Sequence, residues 1–169
     1  ARRPLSEALA LLTPVAESLA IAHAHGVAHL DVKPANIFLA TDGSVKLLDF
    51  GIAKVLTSND TLSRALTLAG ALSAFTPSYA APEQFNRRHG ATGPWTDVFA
   101  LALVLIEVCS GELALAGDTP LQLYVAAANE QYRPSLAAHG VRASPPLDDV
   151  FKRALAVDPR RRFSDAGGM

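Results

Sequence analysis

An apolar run near the middle of the chain most constrains its fold. Every position from Val98 to Cys109 is apolar except Glu107. A helix that is apolar nearly all round belongs at the centre of a domain, because its surface offers no polar face to water. Thr96 or Asp97 is placed to cap the start of this helix, and Gly111 follows it as a stop. The pattern therefore predicts a buried central helix around which the rest of the chain packs.

Composition favours one globular domain over residues 1–169, since 50% of the 169 residues are hydrophobic and 18% are charged. The net charge of −1, with no long basic run, argues against nucleic acid as a partner. The run from Val98 to Ile106 is about half of the roughly 20 residues that cross a bilayer, so no membrane contact is expected from this segment. The single Cys109 has no disulfide partner, which favours a cytoplasmic location.

The remaining pattern is α+β and mainly helical. Apolar spacing predicts an amphipathic first helix, with Pro14 inside it as the cause of a kink or a late start. An Asp-Gly pair at 42–43 joins two short apolar segments and predicts a β-hairpin. The predicted elements are a helix from Leu5 to His25, strands at 36–40 and 44–48, a long loop from Thr57 to Thr76, and helices at 120–130 and 147–156, the last after a break at 144–146.

Two short stretches on either side of the hairpin carry the chemistry. The first reads His29-Leu30-Asp31-Val32-Lys33-Pro34-Ala35-Asn36, and the second reads Asp49-Phe50-Gly51. Together they supply two carboxylates, an amide and a lysine on adjoining turns. Phosphoryl transfer needs these groups: a carboxylate to orient the attacking hydroxyl, oxygen ligands for Mg²⁺ and a cation near the transferred phosphate. Each residue alone has an ordinary structural explanation, but the ordered set predicts a phosphotransfer site.

This set resembles the protein kinase family, whose motifs run H-R-D-x-K-x-x-N, then D-F-G, then A-P-E. Ala81-Pro82-Glu83 is similar to the last motif, and residues 76–83 resemble the substrate-groove segment of serine/threonine kinases. Residues 97–101 resemble the start of the family's central helix, and Asp158-Pro159 with Arg162 resembles its C-terminal D-P-x-x-R element. The likeness is to the bacterial (Hanks-type) serine/threonine kinases and implies the fold of their C-terminal lobe, with a small β-hairpin at the cleft.

The resemblance implies a role for each motif residue. Asp31 would be the catalytic base, and Lys33 would neutralise charge on the γ-phosphate of ATP. Asn36 and Asp49 would hold Mg²⁺, and Phe38 would lie under the adenine ring. Thr76 would contact the catalytic loop and, with Lys33, favour Ser or Thr of a protein substrate. Structural roles are implied for the remaining motif residues, namely His29 packing on Phe50, Gly51 in the D-F-G turn, Asp97 accepting hydrogen bonds from the catalytic loop, and Glu83 paired with Arg162.

The sequence departs from the family pattern in two places. Leu30 replaces the arginine that usually pairs with a phosphate on the activation loop, so we expect activation to depend less on loop phosphorylation. The Ser and Thr residues between positions 57 and 73 are the candidate regulatory phosphosites. No lysine precedes Lys33 and no G-x-G-x-x-G occurs, so the N-terminal lobe that completes the ATP site is expected to be missing from this chain. The chain alone is then predicted to bind ATP poorly and to transfer phosphate negligibly.

Two other functional classes remain open. A pseudokinase or scaffold lobe would bind partners without catalysis, but it has no physical need for Asp31, Lys33, Asn36 and Asp49 together. A small-molecule phosphotransferase would share the ATP chemistry but lack the segment at 76–83. The favoured interpretation is a fragment of a protein kinase that uses ATP and Mg²⁺.

Overall fold

The computed structural model describes residues 2–50 and 75–169. Within these ranges the chain is mostly helical, with one two-stranded antiparallel sheet. The expectations for Gly51, for the loop hydroxyls and for nearly all of the predicted loop lie outside the described residues. The regular elements are α1 (Leu5–Ala24), β1 (Ile37–Leu39), β2 (Val45–Leu47), α2 (Pro82–Phe85), α3 (Pro94–Ser110), α4 (Pro120–Ala128) and α5 (Pro145–Ala154).

Helix α3 is the buried centre of the fold, and it begins earlier than predicted. Pro94 occupies its first position, where a missing N–H costs nothing. Thr96 and Asp97, the predicted caps, lie inside the helix, and Thr96 Oγ1 accepts a hydrogen bond from the Gly93 amide before its first turn at 3.1 Å. Gly111 ends the helix in the left-handed conformation at φ 78°, as its place in the sequence predicts. The central helix is therefore confirmed, and its starting residue is corrected.

Helix α1 packs one face against α3 and against the final turn of the chain. Its buried residues recur at helical spacing: Ala8, Leu12, Val15, Leu19 and His23. The helix is continuous through Pro14, so the predicted late start is wrong. In the described part of the chain, α1 alone is long and apolar enough by composition to cross a membrane, with a mean hydropathy of 1.4.

The β-hairpin forms where it is predicted, and each strand is one residue shorter at both ends. Ile37 pairs with Leu47, and Leu39 pairs with Val45. Gly43 adopts φ 83°, and the Asp42 carboxylate accepts a hydrogen bond from the Ser44 amide at 2.9 Å. Hydrogen bonding, first to the Ser44 side chain and second to its amide, lowers the pKa of Asp42. The Asp-Gly turn thus holds the two strands that follow the predicted catalytic loop.

Helix α5 contains the prolines that were predicted to break the chain. Pro145 is its first residue, and Ser144 precedes it in an extended conformation. Proline is tolerated at the first turn because the amide it lacks has no partner inside the helix. The predicted break is therefore wrong, and α5 starts at Pro145. Helix α4 begins at Pro120 after Thr119, whose hydroxyl accepts a hydrogen bond from the Gln122 amide at 3.3 Å.

Candidate active site

The structure brings Asp31, Lys33, Asn36 and Thr76 into direct contact. Lys33 Nζ lies 2.6 Å from Asp31 Oδ2 and donates to Thr76 Oγ1 at 2.7 Å. The Thr76 amide donates to Asp31 Oδ1 at 2.9 Å. Asn36 Nδ2 donates to the Asp31 carbonyl at 2.8 Å and lies 3.4 Å from Asp31 Oδ2. A carboxylate, a cation and a hydroxyl are thus held together, although 45 residues separate Asp31 from Thr76.

Asp97 fixes the backbone just before Asp31. Its carboxylate is fully buried and accepts hydrogen bonds from the His29 amide at 2.7 Å and the Leu30 amide at 2.6 Å. Hydrogen bonds to an ionised carboxylate are about twice as strong as neutral ones. Leu30 adopts φ 67°, which is uncommon for a residue with a side chain. The buried carboxylate therefore stabilises a backbone turn that directs the chain into Asp31.

His23 belongs to this network, although the sequence analysis assigned it no role. Its Nδ1 accepts a hydrogen bond from the Ala166 amide at 3.1 Å, so Nε2 carries the proton and donates to Asp97 Oδ2 at 2.9 Å. The residue is buried at the C-terminal end of α1. Its position four residues after the buried Leu19 was the available sequence signal. His23 thereby joins the last turn of the chain to the carboxylate that holds the catalytic loop.

Gln84 is a second residue that sequence reasoning missed. Its Nε2 donates to the Leu30 carbonyl at 2.8 Å, and its Oε1 accepts from the Ala81 amide at 3.1 Å. One side chain therefore ties helix α2 to the turn that Asp97 holds from the other side. An isolated glutamine after A-P-E carries no pattern that predicts this contact.

His29 and Phe50 pack together, and Asp49 lies between the hairpin and Phe50. The two rings have centroids 4.9 Å apart, and His29 Nε2 donates to the Leu48 carbonyl at 2.8 Å. Asp49 is exposed and adopts φ 59°, in the left-handed region. Within the described residues no hydrogen bond joins the Asp49 side chain to Asp31, Lys33 or Asn36. The neighbouring Leu48 amide donates to the Asn36 carbonyl at 2.8 Å, which places Asp49 beside the Asn36 turn.

Glu83 and Arg162 form a buried ion pair behind the site. Their side chains have no exposed area, and two guanidinium–carboxylate contacts measure 2.7 and 2.9 Å. Thr96 Oγ1 donates to Glu83 Oε1 at 2.9 Å. Arg162 also donates to the carbonyls of Ala156, Val157 and Trp95. The charges of the pair are therefore matched and their hydrogen-bonding groups satisfied, as burial of an ion pair requires.

The oxygen donors of Asn36 and Asp49 suit Mg²⁺. Asn36 Nδ2 faces Asp31, so its Oδ1 is directed away from that residue and accepts no hydrogen bond within the described part of the chain. The exposed Asp49 supplies a carboxylate beside the same turn. Mg²⁺ binds carboxylate and carbonyl-type oxygens and keeps several waters. Across residues 2–50 and 75–169, no group of three His, Cys, Asp or Glu side chains could hold a metal.

Phe38 lies on β1 and is 53% exposed. Leu39 and Leu48 of the same hairpin are 52% and 41% exposed. Because successive side chains of a strand point to opposite faces, Phe38 and Leu39 are exposed on different faces of the hairpin. Phe38 is the residue that the resemblance places under the adenine ring.

Tyr79 is the titratable group near the site with a clear pKa shift. Burial raises its pKa above the usual value, and the neighbouring Glu107 carboxylate raises it further. The Tyr79 hydroxyl donates to Glu107 Oε2 at 2.6 Å. This bond explains the one charged residue in the apolar run of α3, because Glu107 fastens the segment after Thr76 to the central helix.

Comparison with known proteins defines the class to which this fold and site belong. The chain matches the protein kinase domain model over residues 4–167. It therefore belongs to the protein kinase domain family.

Bacterial serine/threonine-protein kinases are among its relatives. The chain is 32% identical over 167 residues to PknB of Mycobacterium leprae and 34% identical over 164 residues to PknB of Mycolicibacterium smegmatis. It is 34% identical over 167 residues to PknL of Mycobacterium tuberculosis. These alignments cover 98%, 96% and 98% of this chain, respectively. The chain spans 25% of the length of both PknB proteins and 39% of the PknL protein.

Proposed function

We propose that this chain carries the catalytic and magnesium-binding residues of a protein serine/threonine kinase, which transfers the γ-phosphate of ATP to Ser or Thr hydroxyls of proteins. The contact between Asp31, Lys33 and Thr76 is the observation that carries this proposal. It joins the carboxylate and the cation that phosphotransfer needs to the segment that resembles the substrate groove of serine/threonine kinases. A cytoplasmic location belongs to the same proposal, since ATP is the phosphate donor.

Asp31 is the proposed base, and its contacts suit that role. The Thr76 amide holds Oδ1 and the Lys33 ammonium contacts Oδ2, so the carboxylate has a fixed orientation. Each carboxylate oxygen accepts about two hydrogen bonds, which leaves lone pairs for a substrate hydroxyl. The Asp31 side chain is 26% exposed, so a hydroxyl can reach it from solvent. Orienting the attacking hydroxyl and accepting its proton would be the work of this residue.

Lys33 and Thr76 would prepare the site for the transferred phosphate. The Lys33 ammonium is shared between Asp31 Oδ2 and Thr76 Oγ1, and one of its three N–H groups remains for a phosphate oxygen. Charge neutralisation at the γ-phosphate would lower the barrier without covalent chemistry, and the rest would come from positioning. When bound, Mg²⁺ neutralises phosphate charge, and Asn36 and Asp49 would hold it. Phe38 would contact the adenine ring from below.

We further propose that this chain forms the C-terminal lobe of the kinase and that a second lobe completes the ATP site. The exposed apolar residues of the hairpin support this, because a nucleotide and a covering lobe would bury them. The alternative that the chain is a pseudokinase or scaffold lobe remains a competing hypothesis. It predicts partner binding without phosphotransfer from any form of the protein.

The apolar side chain of Leu30 bears on how the activity is regulated. An isobutyl side chain offers no donor to a phosphate, and hydrogen bonds at the Leu30 amide and carbonyl hold its backbone in the turn. We therefore propose that activity depends little on phosphorylation of the Ser and Thr residues between positions 57 and 73. Alanine replacement of the Ser and Thr residues at 57–73 in the active protein should then leave its phosphotransfer rate close to that of the wild type. Loss of activity in that variant would contradict the proposal.

The deciding experiment measures transfer of radiolabelled γ-phosphate from Mg·ATP to a generic protein substrate. It compares this chain with the full gene product that contains it and with the Asp31→Asn and Asp49→Ala variants of that product. Loss of a positioned base lowers rates by about 10²- to 10⁴-fold, so Asp31→Asn should be nearly inactive. Asp49→Ala should be similarly impaired, and added Mg²⁺ should partly restore its activity, since a lost ligand weakens metal binding.

Asp149→Asn is the matched control, because it removes an exposed carboxylate whose one ion-pair partner in residues 2–50 and 75–169 is Lys152. It should retain full activity, while this chain alone should transfer negligible phosphate. An inactive full product, or full activity in Asp31→Asn, would contradict the kinase proposal and favour the scaffold alternative. Robust transfer by this chain alone would contradict the two-lobe proposal only.

A further inference from the structure

A cavity of about 710 Å³ opens between the start of α3 and the end of α5. None of the contacts around Asp31 involve its lining residues. The lining comes mainly from the turn before α3, from Trp95 in the first turn of α3, and from the Pro159–Arg161 turn after α5, with Arg153 of α5 and Glu130 beyond α4. We propose that this cavity binds a phosphomonoester group, independently of the phosphotransfer site.

The aromatic wall of the cavity is fixed before any ligand arrives. Trp95 Nε1 donates to the Ala91 carbonyl at 2.9 Å. Its ring covers Gly93 so closely that a Cβ built there would lie 2.6 Å from a ring carbon. Gly90, at φ 126°, brings the same turn against Pro159. A binding site whose wall is already ordered avoids the entropy cost of ordering it on binding.

Two of the four arginines in the lining are already neutralised. Arg162 is paired with the buried Glu83. Arg160 wraps around Asp158, with three nitrogen–oxygen contacts between 2.8 and 3.2 Å. That exposed pair lowers the pKa of Asp158 to about 2, through hydrogen bonds to Arg160 first and through the charges of neighbouring arginines last. Arg160 therefore largely neutralises the negative charge of Asp158, and the pair contributes little net charge to the cavity.

The other two arginines supply unpaired positive charge. Within the described part of the chain, neither Arg88 nor Arg153 has a carboxylate partner. Arg153 is positioned by stacking, with its guanidinium carbon 4.1 Å from the centre of the Phe163 ring. The backbone of Arg88 is fixed, because its amide donates to Asn86 Oδ1 at 3.0 Å. Glu130 is the one acidic lining residue without a salt-bridge partner among the described residues, so cationic charge is in excess.

These features match a dianionic ligand with an organic body. Guanidinium groups present forks of N–H donors that suit phosphate oxygens, and a phosphomonoester carries close to two negative charges at neutral pH. Phosphate alone would fill a small part of a cavity of this volume, whereas Trp95 offers an apolar face to the rest of a ligand. Either a small phosphate ester or a phosphorylated side chain of a peptide could supply this chemistry.

Trp95 provides a direct readout, because it is the single tryptophan of the chain. Its fluorescence is titrated with phenyl phosphate, with an acetylated Ala-phosphoserine-Ala peptide and with inorganic phosphate, each at constant ionic strength. A saturable change with the organic phosphates is expected, with weaker binding at high salt because the attraction is electrostatic. Tighter binding of phenyl phosphate would assign the site to small esters, and tighter binding of the peptide would assign it to phosphorylated proteins. Both results support the proposal.

Three variants test the charges individually. Arg88→Gln and Arg153→Gln should each weaken binding by about tenfold, the typical effect of losing a charge-assisted hydrogen bond. Glu130→Gln should tighten binding, because it removes a repelling carboxylate. Lys152→Gln is the matched control: it removes an exposed cation next to Arg153 that pairs with Asp149 and does not line the cavity. Its affinity should equal that of the wild type.

The proposal would be overturned by a fluorescence change that does not saturate, or by equal weakening in Lys152→Gln and in the two arginine variants. Arg153→Gln removes the stack on Phe163, so its fold is checked by circular dichroism. If it unfolds, Arg88→Gln alone decides, because its side chain makes no hydrogen bond or ion pair within the described residues. Asp31→Asn should bind the probes as the wild type does, which keeps this test separate from the kinase proposal.

Discussion

The front and the back of the catalytic loop differ in how their polar side chains are held. On the front, the Lys33 and Asp31 side chains are 23% and 26% exposed, and they contact each other and Thr76. On the back, Asp97 and Glu83 are at most 1% exposed and bond to segments far away in the sequence. The front holds the residues proposed for chemistry, and the back holds the backbone that presents them.

The exposure of a charged side chain determines how much stability is lost when its partner is removed. A partly exposed charge that loses its partner regains contact with water, so removal of that partner changes stability little. A buried charge that loses its partner stays desolvated, and the penalty reaches several kcal/mol. Substitutions on the front should therefore lower the phosphotransfer rate and leave the free energy of unfolding nearly unchanged. Substitutions on the back should lower the free energy of unfolding before they affect phosphotransfer.

The largest effect on stability is expected at the buried ion pair. Arg162→Met should lower the free energy of unfolding by about 3–5 kcal/mol, because Glu83 is left buried without its cation. Urea denaturation of the chain measures this. The double variant Glu83→Gln/Arg162→Met should recover part of the loss, which a double-mutant cycle would detect. Arg160→Met removes a guanidinium that is 89% exposed and should leave the unfolding midpoint unchanged. Equal destabilisation by the two arginine variants would remove the contrast between buried and exposed pairs.

A smaller effect, confined to one turn, is expected at Asp97. Asp97→Asn turns one acceptor oxygen into a donor that faces amide or ring N–H groups, at a cost of about 1–3 kcal/mol. The His29 and Leu30 amides, which donate to this carboxylate, should lose more protection in hydrogen exchange than the amides of α3 do. Asp118→Asn is the control, because its exposed side chain makes no hydrogen bond or ion pair within the described residues. Unchanged protection of both amides in Asp97→Asn would show that the turn does not depend on this carboxylate.

Tyr79→Phe should lower the free energy of unfolding by about 1 kcal/mol at neutral pH, because it removes the hydrogen bond to Glu107. The raised pKa of Tyr79 gives this variant a pH signature. Above pH 10 the unfolded chain releases the phenol proton while the folded chain keeps it, so wild-type stability falls with rising pH. The stability of the phenylalanine variant does not fall for this reason. The difference in free energy of unfolding between wild type and variant should therefore decrease from pH 10 upwards. Tyr132→Phe, at a tyrosine that is 80% exposed, is the control. A gap that stays constant at high pH would contradict the assignment.

The sequence predicted what local patterns encode and missed what distant contacts decide. The Asp-Gly turn, the Gly111 stop and the apolar spacing of α1 and α3 are local, and they predicted the elements well. The start of α3 was wrong because Pro94 occupies its first position, so Thr96 supports the helix start from its third position while Asp97 bonds to the distant His29 amide.

The candidate site divides in the same way. Asp31, Lys33 and Asn36 lie within one short stretch, and the family resemblance points to them directly. His23 and Gln84 act through single hydrogen bonds to Asp97 and to the Leu30 carbonyl. A residue whose role depends on one partner far along the chain leaves no periodicity or spacing in the sequence. These contacts required the structure.

The smallest effect is expected at Arg133, which faces the same Phe99 ring as Arg162. Their guanidinium carbons lie 5.6 and 4.7 Å from the ring centre. Arg133 Nε and Nη2 are buried and lack hydrogen-bond partners within the described residues. Burial, reinforced by the charge of Arg162, lowers the Arg133 pKa to about 10, and Glu130 partly offsets this.

Replacing a poorly paired buried charge by an apolar side chain of similar size is often neutral or stabilising. Arg133→Met should therefore change the free energy of unfolding by less than about 1 kcal/mol, although its Nη1 bonds to the Ala127 and Asn129 carbonyls are lost. Urea denaturation of Arg133→Met and Arg162→Met compares their free energies of unfolding. An equal decrease in both variants would mean that burial of the guanidinium, and not its ion pairing, determines the decrease.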